Sequence, residues 1–198
     1  MSKTERQFDF WKAIRVLTTA PLMAAIALAL LRICREEIFS GEMQFLLLFF
    51  CLGLLPLLAY PLQRFFPHFK NQGRSGQRHL AMIFAVGGYL ISMLVCVITR
   101  ASKAVWFFCL EYLLSGLLIF LFNRIFHVKI SGHVCGVAGP IMLLAYHGLW
   151  YTVPVGCAVL ILVMVASLKT KRHTVPEMIG GGFAAMASFV ILLSLFNA

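Results

Sequence analysis

The sequence predicts an all-α protein, a polytopic transmembrane helical bundle of about six to seven spans. Three observations predict it. The chain of 198 residues is 61% hydrophobic and only 12% charged, with a mean hydropathy of +0.91, which is more apolar surface than a soluble domain of this length can hide. Its apolar residues fall in runs that approach or exceed the ~18 needed to cross a bilayer. The residues between the runs form short loops rich in Lys and Arg.

The elements follow in order. Residues 1–15 are charged and carry Phe8, Phe10 and Trp11, as an interfacial helix or anchor does. No small-residue cleavage site is evident, so the first apolar run is expected to be retained. That span covers about 16–34 and ends at Arg35-Glu36-Glu37. The second covers about 44–62, with Pro56 as a kink and Pro61 near its end. A polar loop, Gln63 to His79, leads to a third span at about 80–99. The link Arg100 to Ala104 precedes a fourth at about 105–123, and the loop Asn123 to Ile130 feeds a fifth at about 131–149. Trp150 and Tyr151 make an aromatic boundary before a sixth span at about 153–168. The basic link 169–173 precedes the seventh, at about 175–196. Six spans plus one re-entrant or interfacial helix is the alternative count. No repeat or long linker divides the chain, so residues 1–198 read as one integral membrane domain.

The net charge of +10 does not point to nucleic acid, because the cations are spread over short inter-span loops. There they serve as topology signals or meet anionic lipid headgroups. The six cysteines lie in or beside apolar runs with no Cys-x-x-Cys pair, and read as buried thiols.

Three polar clusters stand out: Lys70 to Arg78, Lys129 to Gly139, and Lys169 to Glu177. Two spans separate each from the next, so crossing parity puts all three on one face of the membrane. With the N-terminus, that face carries 13 of the 17 Lys and Arg residues, against four opposite. Leaving out seven cations that a substrate would need reduces the count to six against four. The positive-inside rule then weakly places this face in the cytoplasm, in a plasma (inner) membrane.

His173 and Glu177 are four residues apart, so on a helix they share a face and the carboxylate can hold one ring nitrogen. The other nitrogen is then free to attack. Pro176 suits a first helical turn, whose open N–H groups attract anions. By itself the pair also reads as a loop histidine beside an interfacial glutamate. Ser131, Gly132 and His133 open the fifth span. They can donate to phosphate and supply a general acid, or equally form an N-cap with a snorkelling histidine. Lys70, Arg74 and Arg78 offer three cations in a Gly-containing loop, suited to phosphate or to topology alone. Glu111 lies inside the fourth span, where a carboxyl is costly unless it faces the bundle interior or water. It reads as a substrate or proton contact, or as the partner of an Arg or Tyr. A metal site from His133, Cys135, His173 and Glu177 lacks a recognised ligand spacing.

In this order and on one face, the clusters resemble the type 2 phosphatidic acid phosphatase superfamily. Its signature runs Lys-x6-Arg-Pro, Pro-Ser-Gly-His and Ser-Arg-x5-His-x3-Asp. Here the second element reads Ile130-Ser131-Gly132-His133 and the third His173-Thr174-Val175-Pro176-Glu177, within residues 70–181. The resemblance implies the helical core shared by these phosphatases and the haloperoxidases, and a hydrolase that works without metal or other cofactor. His173 would become a phosphohistidine, His133 would be the acid, and Glu177 would stand in the Asp position. Lys70, Arg74, Arg78, Ser131, Gly132, Lys171 and Arg172 would hold phosphate. The substrate would be a lipid phosphate or pyrophosphate, such as phosphatidate or a polyprenyl (di)phosphate, drawn from the membrane lipids. Three departures stand against the pattern. Lys70 and Arg78 are one residue too far apart, His79 replaces the Pro, and Ser167 occupies the place of the phosphate-binding Arg. The alternative reading is a binder or transporter of anionic lipids that keeps the basic site without the chemistry.

Overall fold

Pro21 marks the first decision the chain makes. It sits in the first turn of a helix, where its missing N–H costs nothing, and Thr19 just before is extended at φ −65° and ψ 146°. The chain therefore breaks into α1 (Phe10–Leu17) and α2 (Ala20–Cys34), which meet at 55°. The computed structural model describes residues 10–197, and of Arg74 and Asn197 the backbone alone. Residues 1–9, with Lys3, Arg6 and Phe8 of the expected interfacial segment, lie outside the described residues.

The remaining helices are α3 (Glu42–Leu48), α4 (Leu55–Leu62), α5 (Pro67–Lys70), α6 (Gly73–Ile98), α7 (Lys103–Phe120), α8 (Gly132–Tyr146), α9 (Val153–Lys169) and α10 (Val175–Asn197). Among the described residues there is no strand. A π-helical stretch, Phe49–Leu54, joins α3 to α4. It ends just before Pro56, which lacks the N–H that would bond the Leu52 carbonyl, so a wider turn replaces the expected kink.

Five helical segments are long and apolar enough to cross a membrane, and the bent α1–α2 pair makes a sixth if it counts as one span. This is an integral membrane protein. The expected fifth span, at about 131–149, is α8, whose 15 residues extend only ~22 Å against a ~30 Å hydrocarbon core. It packs against α2, α9 and α10. Valines, glycines and Leu143 line its buried sides. Phe107, Phe108, Leu28, Leu31, Leu143 and Leu149 form the main core. Ile98, Val155, Ile161, Ile179 and Leu195 point outward, as lipid-facing side chains do.

The two ends of the bundle differ in charge. At one, Arg32 pairs with Glu36 and Glu42, each at 2.6 Å, and Arg35 Nε donates to the His147 carbonyl at 3.0 Å. At the other, Arg15 Nη1 donates to Thr170 Oγ1 at 3.3 Å, and Lys129 meets Glu177. The second end gathers the three polar clusters. α8 connects the ends, with His133 at the cationic one and His147 beside Arg35 at the other.

Candidate functional site

The turn between α9 and α10 builds the first part of the site. Lys171 adopts a left-handed conformation at φ +51°. Its N–H donates to the Leu168 carbonyl at 2.9 Å, and the Arg172 N–H donates to the Ser167 carbonyl at 3.0 Å, a helix-closing motif that reverses the chain. His173 is thereby delivered one turn before Glu177. Its Nδ1 lies 2.7 Å from Glu177 Oε2. An ionised carboxylate only accepts, so Nδ1 carries the hydrogen and the Nε2 lone pair is left open. Glu177 Oε1 accepts from Lys129 Nζ at 3.0 Å, and Oε2 also accepts the Thr174 N–H at 3.3 Å. Burial draws the His173 pKa below its ordinary value, and the Glu177 carboxylate pulls against that shift.

The segment Lys129 to Ser131 lies against α10. Ser131 N–H donates to the Glu177 carbonyl at 2.8 Å, which places Lys129 over the carboxylate. This approach depends on Gly181, where a Cβ would collide with the Ser131 carbonyl oxygen. Ser131 itself is fully buried, and its hydroxyl accepts the Val134 N–H at 3.4 Å as the cap of α8. Gly132 borders an inner cavity. Neither residue, both expected to hold phosphate, lines a cleft at this cationic end.

Two clefts open at this end. One, of about 460 Å³, is lined by Lys129, Lys171, Arg172, His173 and Glu177 among others. The second, of about 520 Å³, is lined by Arg15, Arg78, His133, Lys169 and Arg172, with Trp11 and Thr19 in its wall. Arg172 lines both. His133 and His173 therefore stand in neighbouring clefts and not in one. His133 Nε2 lies 3.1 Å from the Arg15 carbonyl; a carbonyl only accepts, so Nε2 carries the hydrogen. The three cations expected in a loop lie on helices instead, Lys70 at the end of α5 and Arg74 and Arg78 in the first turns of α6; Arg78 reaches the second cleft, and Lys70 lines a separate depression with Tyr60, Gln63 and Arg64. The Arg74 side chain lies outside the described residues.

Sequence reasoning counted Arg15 only as a topology signal. Trp11 and Arg15 are four residues apart on α1, a spacing that already put both on one face. The Arg15 Nε and Thr19 Oγ1 atoms are buried in the wall of the second cleft without a hydrogen-bond partner. Ser167, where the resemblance wanted an arginine, is fully buried and its hydroxyl has no partner either.

Chemically, the first cleft offers an oriented imidazole among cations, and the second offers a cationic wall with no acidic side chain among its described lining residues. Either suits a phosphate oxyanion. Among the described residues, no group of three or more His, Cys, Asp and Glu is arranged to hold a metal ion. Cys135 borders the inner cavity, away from His133 and His173. Comparison with protein-family models, with characterised proteins and with solved structures yields no match.

Proposed function

We propose that the protein is a membrane phosphatase that needs no metal and hydrolyses a lipid phosphate or pyrophosphate through a phosphohistidine. Phosphatidate and a polyprenyl (di)phosphate are the substrates in view. The single observation that supports this reading is the 2.7 Å contact of His173 Nδ1 with Glu177, made in a cleft that Lys129, Lys171 and Arg172 also line. It leaves Nε2 as the nucleophile and surrounds it with the charges that a phosphoryl group needs.

In the first step His173 Nε2 attacks phosphorus and the P–O bond to the lipid breaks. The leaving oxygen takes a proton from His133. Because the Nε2 hydrogen of His133 is engaged by the Arg15 carbonyl, the transferable proton is the one an imidazolium carries on Nδ1. In the second step water attacks phosphorus, the P–N bond breaks, and the water's proton returns to His133. Arg172, which borders both clefts, holds the phosphoryl oxygens between them. The cationic end would face the cytoplasm by its excess of Lys and Arg.

The test is phosphate release from a short-chain phosphatidate and a short polyprenyl diphosphate, in detergent with EDTA present. Wild-type protein is expected to release phosphate and to form an acid-labile phosphoprotein. His173→Ala should lose roughly a thousandfold or more of that rate. Full activity in His173→Ala would end the phosphohistidine mechanism.

One observation favours a second reading. His133 is bonded to the Arg15 carbonyl and stands in the neighbouring cleft, which suits a binder or transporter of anionic lipids. Saturable lipid-phosphate binding with no release of phosphate would select it.

A further inference from the structure

Glu111 is 1% exposed and Tyr112 6%, and both border a cavity of about 160 Å³ inside the bundle. Glu111 Oε1 accepts from Ser188 Oγ at 2.7 Å. Its Oε2 and the Tyr112 hydroxyl are buried and have no partner. The cavity is about the size of one that accommodates benzene in other proteins. It shares no lining residue with either cationic cleft.

The walls define what the cavity can bind. Among the described residues, no Lys, Arg or His lines the cavity, so the carboxyl lacks a countercharge there. The oxygens of Glu111, Tyr112 and Ser115 are too few for a hard metal ion, which takes six or more. The rings of Tyr89 and Tyr112, 6.4 Å apart and tilted at 46°, both line the cavity. One carboxylate, a phenol oxygen and aromatic faces are the recognition set for an organic ammonium. The remaining walls are Ala20, Ile119, Cys135, Pro140 and glycines, which suit a thin alkyl chain. Gly132 lies at the cationic end of α8 and Gly139 seven residues further in, so the cavity extends ~10 Å along that helix.

We infer that the Glu111 cavity is a binding site for a primary ammonium group on a short alkyl chain, with N–H donors on Glu111 Oε2 and Tyr112 Oη. The group belongs either to a free alkylamine or to the ethanolamine headgroup of a lipid.

The test uses full-length protein in dodecyl maltoside and radiolabelled n-butylammonium, with protein-free micelles subtracted. Saturable binding is expected, weakened about tenfold or more in Glu111→Gln, where an isosteric side chain still accepts from Ser188. Gly139→Ala should also weaken it. The added methyl would sit 3.7 Å from Glu111 Oε1, an ordinary contact that takes up space beside the carboxyl, and alanine favours the helix. His173→Ala should bind as wild type, which separates this site from the phosphate reading. Competition by 1-butanol as strong as by unlabelled butylammonium would overturn the inference, because the cavity would then select only for apolarity. So would wild-type affinity in both Glu111→Gln and Gly139→Ala, or no saturable binding. Added phosphatidylethanolamine that displaces the probe identifies the lipid headgroup as the natural source; no displacement identifies a free amine.

Discussion

Lys129 and His173 divide one carboxylate between them. Lys129 Nζ takes Glu177 Oε1 at 3.0 Å, and His173 Nδ1 takes Oε2 at 2.7 Å. The two residues are 44 apart in sequence, and the alignment of Lys129 to Ser131 along α10 brings them to the same side chain. Lys129 thus restrains Glu177 while its own charge disfavours protonation of His173. Lys129→Met should slow phosphate release by roughly fivefold or less, far less than His173→Ala, since a partly exposed ion pair contributes about 1 kcal/mol or less. Loss as complete as that of His173→Ala would assign Lys129 a direct role on phosphate.

The His173 titration follows from the same contacts. A lowered pKa means that the neutral, nucleophilic imidazole persists below the ordinary histidine value of about 6.5. In ¹⁵N-histidine NMR, the His173 signal should titrate below that value. Glu177→Gln removes the contact that raises the pKa and should move the midpoint lower still, whereas Lys129→Met should move it up. The sign for stability is the same: the unfolded chain binds this proton more readily, so His173 costs folding stability as pH falls through that window. A midpoint above 6.5 in the wild type would show that the ion pair outweighs burial.

Gly181 and Gly182 provide a matched pair. A methyl at Gly181 meets the Ser131 backbone, while at Gly182 the nearest atom is a Val134 methyl at 3.9 Å. Gly181→Ala is expected to cost about 1–3 kcal/mol of stability and to displace Lys129 from Glu177. Gly182→Ala should be neutral or slightly stabilising. Thermal unfolding of the two variants in one detergent checks both, and equal midpoints would contradict the close packing of this segment.

Lys171 carries a left-handed backbone, which favours glycine. Lys171→Gly should therefore stabilise the α9–α10 turn by about 1 kcal/mol, while phosphate affinity falls severalfold through the lost cation. Unfolding midpoints and inorganic-phosphate competition measure the two effects separately. A variant that gains stability and keeps its affinity would remove Lys171 from the phosphate-binding set.

Arg172 and Arg78 test how the clefts cooperate. Arg172 borders both and Arg78 only the second. Arg172→Met should weaken lipid-phosphate binding and slow turnover together, by about tenfold or more each. Arg78→Met should act mainly on binding. Similar losses of turnover in both variants would merge the two clefts into one functional pocket.

The order of the long helices was legible in the chain because lipid imposes a simple rule. A span must be a long apolar helix, and its ends must be polar. The runs at 44–62, 80–99, 105–123, 153–168 and 175–196 therefore correspond to the five long helices. The i, i+4 contact of His173 with Glu177 was equally legible, since helix geometry alone brings the pair together. Side chains distant in sequence obeyed no such rule. That Arg15 would hold His133 by its carbonyl, and that Lys70 would face a separate depression, depended on how the helices pack. Periodicity names the face a residue shares with its own helix, but packing decides what that face meets. The membrane-spanning pattern and the histidine–glutamate pair belong to the sequence; the separation of the two imidazoles into adjoining clefts, and the cavity beneath Glu111, belong to the tertiary structure.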